Sequence, residues 1–106
     1  MSTGITIKKI KKEIQNTLSE HNNLCGVYGF GSFFRNTNFN DIDLLLMSGK
    51  MSPSPLEDYY AAKRKLDLLS QRLGIEFDIT FLTYSEFLKK PLLEMDNLVS
   101  IIINKT

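Results

Sequence analysis

Gly31-Ser32 is followed ten residues later by Asp41-Ile42-Asp43, which heads the apolar run Leu44-Leu45-Leu46-Met47. A run this rich in Leu and Ile reads as a buried strand, and carboxylates placed on one are costly unless a positive charge compensates them. On a strand, side chains two apart share a face, so Asp41 and Asp43 project together, roughly 6.6 Å apart along the chain. Ile42, Leu44 and Leu46 then point the other way, into the core. One strand thus carries chemistry on one face and stability on the other. The segment from Ile75 to Phe81 repeats the alternation: Ile75, Phe77, Ile79 and Phe81 are apolar, with Glu76, Asp78 and Thr80 between them. Asp78 is the candidate third carboxylate.

Two acids on one strand and a third on another can hold two divalent cations roughly 3.5–4 Å apart, the arrangement that clamps attacking and leaving oxygens in phosphoryl or nucleotidyl displacement. Ligation by oxygen alone favours Mg²⁺, which binds through a few carboxylates together with substrate phosphates. The Gly31-Ser32 turn offers backbone N–H groups and a hydroxyl to triphosphate oxygens. Arg35 adds a cation three residues on, either as a phosphate contact or as a brace for the loop. The set describes a nucleoside triphosphate bound through Mg²⁺.

The elements that must position these residues follow from periodicity. Ile7, Ile10, Ile14 and Leu18 recur at helical spacing, so the stretch from Ile5 to about Glu20 reads as an amphipathic helix. Leu24 to Phe30 reads as a short strand, Gly31 to Arg35 as a turn, and Asn36 to Asn40 as a loop. Ser48 to Pro55 is a connector expected to be exposed and mobile. Ser54 then reads as an N-cap, with Pro55 first in a helix that runs to Gly74 and buries Tyr59, Ala62, Leu66, Leu69 and Leu73. A strand from Ile75 and a short capped helix over Thr83–Leu88 follow, and the apolar tail from Asn97 to Ile103 is open to a last strand or a helix, the strand being favoured and able to pair with another chain if it lies at an edge. Helices interleaved with a few strands predict an α/β (α+β) fold: a small mixed sheet with helices on one face and an open catalytic face.

Composition narrows the options. At 106 residues the chain is expected to form a single domain, residues 1–106, with a shallow or shared active site. Thirteen Lys and Arg against twelve Asp and Glu leave +1, which favours neither broad nucleic-acid binding nor an acidic membrane. Lys8, Lys9, Lys11 and Lys12 read as the solvated face of a helix, with phosphate or RNA contact as the lesser alternative. The single Cys25 cannot form an internal disulfide and reads as a small buried hydrophobe, while one His is too few for a usual zinc site. No stretch reads as a signal peptide or a membrane span, so the cytoplasm is the expected compartment.

Gly31-Ser32-Phe33-Phe34-Arg35 and Asp41-Ile42-Asp43-Leu44-Leu45 together resemble the Gly-Ser-x-x-Arg and Asp-x-Asp-Leu signature of the polymerase-β-like nucleotidyltransferases, and more narrowly the minimal nucleotidyltransferase (MNT) domains. The resemblance spans nearly the whole chain in element order and implies the polymerase-β palm-like fold. It implies that Asp41 and Asp43 hold both metals, that Asp78 holds one while helping to deprotonate the attacking hydroxyl, and that Gly31 and Ser32 contact the nucleotide phosphates. Many minimal domains carry a small residue before the Arg and a Gly after it, where this chain has Phe34 and Asn36.

Larger nucleotidyltransferases hold the acceptor with a second, helical domain; here a partner is expected to supply it. Minimal domains of this family are commonly encoded beside a helical HEPN-type ribonuclease toxin, and some act as antitoxins by moving AMP from ATP to a tyrosine of that toxin. The resemblance therefore implies a Mg²⁺-dependent protein adenylyltransferase with ATP as substrate. Two other readings stay open. One is a non-catalytic module that neutralises a partner by steric contact; the other is an enzyme acting on a small molecule such as an aminoglycoside, or on RNA. Phe33, Phe34 and Phe39 are candidates for core, adenine-stacking or partner-facing positions, with at least one of them expected in the core.

Overall fold

The computed structural model describes residues 6–20, 24–31, 33, 41–50, 52–89 and 98–103. They form α1 (Ile7–Thr17), β1 (Leu24–Phe30), β2 (Asp41–Ser48), α2 (Pro55–Leu73), β3 (Glu76–Leu82), α3 (Tyr84–Leu88) and β4 (Val99–Ile103). The start of α1 and the stop of α2 follow local chemistry, but the Ser54 hydroxyl expected to cap α2 makes no capping bond, and α1 ends at Thr17, short of Glu20. The Thr6 hydroxyl accepts the Lys9 N–H at 3.1 Å and starts α1, which buries Ile10 and Ile14. Pro55 opens α2, and Gly74 closes it at φ +68°, its N–H donating to the Ser70 carbonyl at 2.9 Å. The Ser70 hydroxyl then donates to the Ile75 carbonyl at 2.6 Å, so the chain turns directly from α2 into β3. Ile75 is consequently a buried link, and the strand starts one residue later than the alternation suggested.

The four strands lie in the order β3-β2-β1-β4. β1 runs antiparallel to both β2 and β4, whereas β2 and β3 are parallel and joined through α2. Ile42, Leu44 and Leu46 of β2 face α1 and α2 with Val27 of β1, and together with Ile10, Ile14, Leu18, Ala62, Leu66 and Leu69 they form the core. α1 is tied to its neighbours by polar links: Arg72 donates to Glu13 at 3.0 Å, and Gln15 donates to the Ile101 carbonyl at 2.8 Å, where β4 breaks register with β1. The fold is thus the mixed α/β arrangement expected, with both long helices on one face. The strand reading of the tail holds from Val99 to Ile103, and β4 is an edge strand.

The opposite face is open only in part. Asp41 and Asp43 occupy its beginning along β2, but Leu45 and Met47, next on the same face, are buried at 0 and 4 % exposure. Their cover is on the α3 side. α3 packs against β2 and β3, and its Phe87 ring stacks on Tyr28 of β1 with centroids 5.6 Å apart. Gly26 makes room for this stack, because a Cβ there would lie 2.8 Å from the Tyr28 ring. Two smaller expectations also change. Ser48 is the buried last residue of β2 rather than part of an exposed connector, and Cys25 is half-buried because it sits at a register break between Leu24 and Gly26.

α3 is short and depends on its capping box, in which the Thr83 hydroxyl accepts the Glu86 N–H at 3.3 Å and Glu86 accepts the Thr83 N–H at 2.9 Å. Thr83→Ala is expected to cost about 1 kcal/mol, read as a lower thermal midpoint. The backbone hydrogen bond from Thr83 holds the Glu86 carboxyl below its ordinary value. Its stabilising contribution is therefore complete above the ordinary glutamate pKa and is lost as pH falls through the depressed folded value. An acid titration of the midpoint in wild type and Glu86→Gln checks this: the wild type should lose its advantage only on the acid side.

Candidate active site

β2 and β3 are parallel neighbours in a register that places Asp43 beside Asp78 and Asp41 beside Glu76. Asp41 and Asp43 lie two residues apart on one face of β2, so the twist of the sheet gathers all three aspartates at one spot. One carboxylate oxygen from each lies within 4.8 Å of the others. Asp41 and Asp43 are half-buried and Asp78 is exposed, so the cluster has a sheltered side and an open side. Neither Asp41 nor Asp78 has a cationic partner among the described residues. Like charges this close repel, and hard oxygen donors converging on one point are the donor set that a divalent cation fits.

Gly31 closes the sheltered side. It follows β1 directly, at φ +81°, a conformation that L side chains rarely adopt. A Cβ at Gly31 would overlap the nearer carboxylate oxygen of Asp43 and lie 3.1 Å from its Cγ. The backbone of the turn therefore runs against the Asp43 carboxylate at a distance only glycine permits. Phe33 anchors the same turn, 5 % exposed and part of the core. It supplies the core-facing phenylalanine expected there. Ser32, Arg35, Phe34 and Phe39 lie outside the described residues.

The structure thus brings together Asp41, Asp43, Asp78 and Gly31 of the residues singled out by sequence. It also adds two carboxylates that the sequence reading did not assign. A shallow depression of about 280 Å³ beside the cluster is lined by Asp41 and Asp78 and also by Glu76, Asp67 and Ser70. Glu76 was legible, since it shares the alternating polar face of β3 with Asp78. Asp67 was not: it lies on α2, and only the tertiary packing carries it to the rim.

No protein-family model matches the sequence, and no curated protein matches it. Among solved structures, the fold is similar to that of a candidate nucleotidyltransferase from Sulfolobus solfataricus, with a TM-score of 0.56, 24 % identity, and coverage of 88 % of this chain and 76 % of that one. At that identity the likeness establishes a shared fold. No helix among the described residues is long and apolar enough to cross a membrane.

Proposed function

We propose that this protein is a Mg²⁺-dependent nucleotidyltransferase that moves AMP from ATP to a tyrosine hydroxyl of a protein partner, a helical HEPN-type toxin that it restrains. The observation that carries this reading is the convergence of Asp41, Asp43 and Asp78 within 4.8 Å behind the Gly31 turn. The shared fold with a candidate nucleotidyltransferase supports it. In this reading Asp41 and Asp43 would hold both metal ions and Asp78 one of them, and the charge supplied there would offset that of the triphosphate and favour loss of the acceptor's proton. Gly31 and Ser32 contact the phosphates, and Arg35 adds its charge to that loop.

The chemistry is one displacement. The acceptor oxygen attacks the α-phosphorus of ATP, a new P–O bond forms, the bond to the β-phosphate oxygen breaks, and pyrophosphate leaves. The hydroxyl proton passes to the Asp78 carboxylate, whose exposure leaves it open to an incoming acceptor. A protein acceptor fits a cluster that is sheltered on one side and open on the other, because the partner covers the open side during transfer.

The test is transfer from ATP labelled in the α-phosphate, with Mg²⁺, to a HEPN-type toxin supplied as the partner. Label appearing on a tyrosine, and none when the γ-phosphate carries it, is the expected result. Label on neither the toxin nor any other acceptor, with the chain folded and metal present, would overturn the proposal. Toxin protection that survives Asp41→Ala and Asp43→Ala would replace it with steric neutralisation.

A further inference from the structure

α1 carries a different flank on each side of the stripe it buries. On one flank Glu13 accepts Arg72 of α2 at 3.0 Å and lies 3.7 Å from Lys9, so the cations there are paired where the two helices meet. On the other, Lys8, Lys11, Lys12 and Gln15 succeed one another at helical spacing, share a face, and line a shallow groove of about 330 Å³. Gln15 donates to the Ile101 carbonyl, which sets this flank beside β4. Lys8, Lys11 and Lys12 have no carboxylate partner among the described residues, so three positive charges stand together in a chain whose net charge is only +1.

β4 supplies the other half of the surface. Among the described strands it pairs with β1 alone, so its outer edge keeps backbone N–H and C=O groups that no strand takes up. Edge strands are commonly guarded by charge or proline. β3, the opposite edge, carries Glu76 and Asp78, whereas Val99-Ser100-Ile101-Ile102-Ile103 carries neither charge nor proline. The register break near Ile101 bends β4, and Gln15 takes the Ile101 carbonyl, but Ser100 and Ile103 on either side of it stay exposed. An extended chain laid along this edge bonds to the β4 backbone and, because alternate side chains of a strand share a face, turns every second residue to the side of the sheet that α1 covers.

We propose that β4 and the lysine flank of α1 together dock an extended acidic segment of a protein partner, which adds a strand to the sheet and sets its carboxylates against Lys8, Lys11 and Lys12. Charge disfavours a second copy of this chain as the occupant: pairing β4 with β4 about a twofold axis puts two lysine flanks on the same side of one continuous sheet, where they repel. A nucleic acid would satisfy the lysines but not the strand edge. The aspartates lie on β2 and β3, away from β4 in the strand order, so this surface is independent of nucleotidyl transfer.

A capped peptide of alternating Val and Glu, titrated into the full-length, ¹⁵N-labelled chain without nucleotide or metal, tests the proposal. It should shift the amides of Val99 to Ile103 and of Lys8 to Lys12 saturably. Lys8→Gln/Lys11→Gln/Lys12→Gln should weaken binding about tenfold with the remaining spectrum unchanged, since each exposed pair contributes little alone. The same peptide methylated at each backbone nitrogen keeps the charges but cannot donate to a strand edge, and it should bind at least about tenfold more weakly. The proposal fails if the peptide leaves the β4 amides unmoved, if the methylated form or a Val and Lys counterpart binds as strongly, or if the triple variant binds as the wild type does. Oligouridylate moving the same amides at lower concentration would assign the flank to nucleic acid, and a concentration-dependent dimer that protects the β4 amides would give the edge to a second copy; either overturns the proposal.

Discussion

Asp43→Asn is expected to lower nucleotidyl transfer on the order of a thousandfold while leaving the fold in place. Asp43 is the middle member of the cluster, two residues from Asp41 on β2 and beside Asp78 across the parallel register. A neutral amide keeps the volume and one oxygen but removes the charge that draws a divalent cation. Bound metal contributes several kcal/mol to stabilising charge in such displacements, which sets the size of the loss. The same exchange relieves repulsion among three crowded carboxylates, so the metal-free variant should unfold near the wild-type midpoint. Adding Mg²⁺ then separates the two chains. A ligand that binds only the folded state raises the midpoint as its concentration rises, so the wild type should gain and the variant should gain less. Transfer assays and thermal melts on the same preparations check both halves.

Gly31→Ala is expected to damage stability and activity together. The substitution forces a Cβ into a backbone at φ +81° and into the Asp43 carboxylate. The strained backbone alone costs about 1–3 kcal/mol. Relief requires the turn or the carboxylate to move, and displacement by about 1 Å at a reacting site can cost a hundredfold in rate. Denaturant unfolding and transfer kinetics should therefore both shift, unlike Asp43→Asn, in which activity falls alone. Wild-type activity in Gly31→Ala would mean that the tight approach of Gly31 to Asp43 has no part in the chemistry.

Much of this arrangement is written in local patterns. The alternation around Asp41 and Asp78 placed both on strands and on one face, because a period of two leaves little choice when Ile42, Leu44 and Leu46 demand the core. Gly74 and Pro55 marked the ends of α2 through backbone conformations that few other residues supply. What the sequence withheld is what depends on neighbours far along the chain. Nothing local shows that Phe87 stacks on Tyr28 of β1, or that α2 brings Asp67 beside Glu76. The burial of Ser48 has the same origin: it arises from the packing at the end of β2, not from a propensity of serine. Cys25 shows the limit in the other direction, since a register break in β1 overrode the usual burial of a free cysteine.

The most direct test of the central claim is calorimetric titration of ATP into the wild-type chain and into Asp41→Asn/Asp43→Asn, each with and without Mg²⁺. The aspartate cluster predicts binding that requires the metal in the wild type and is lost in the double variant while its circular dichroism is unchanged. Binding of equal strength in both chains, or in the wild type with Mg²⁺ removed, would contradict the assignment of these aspartates as the metal-nucleotide site.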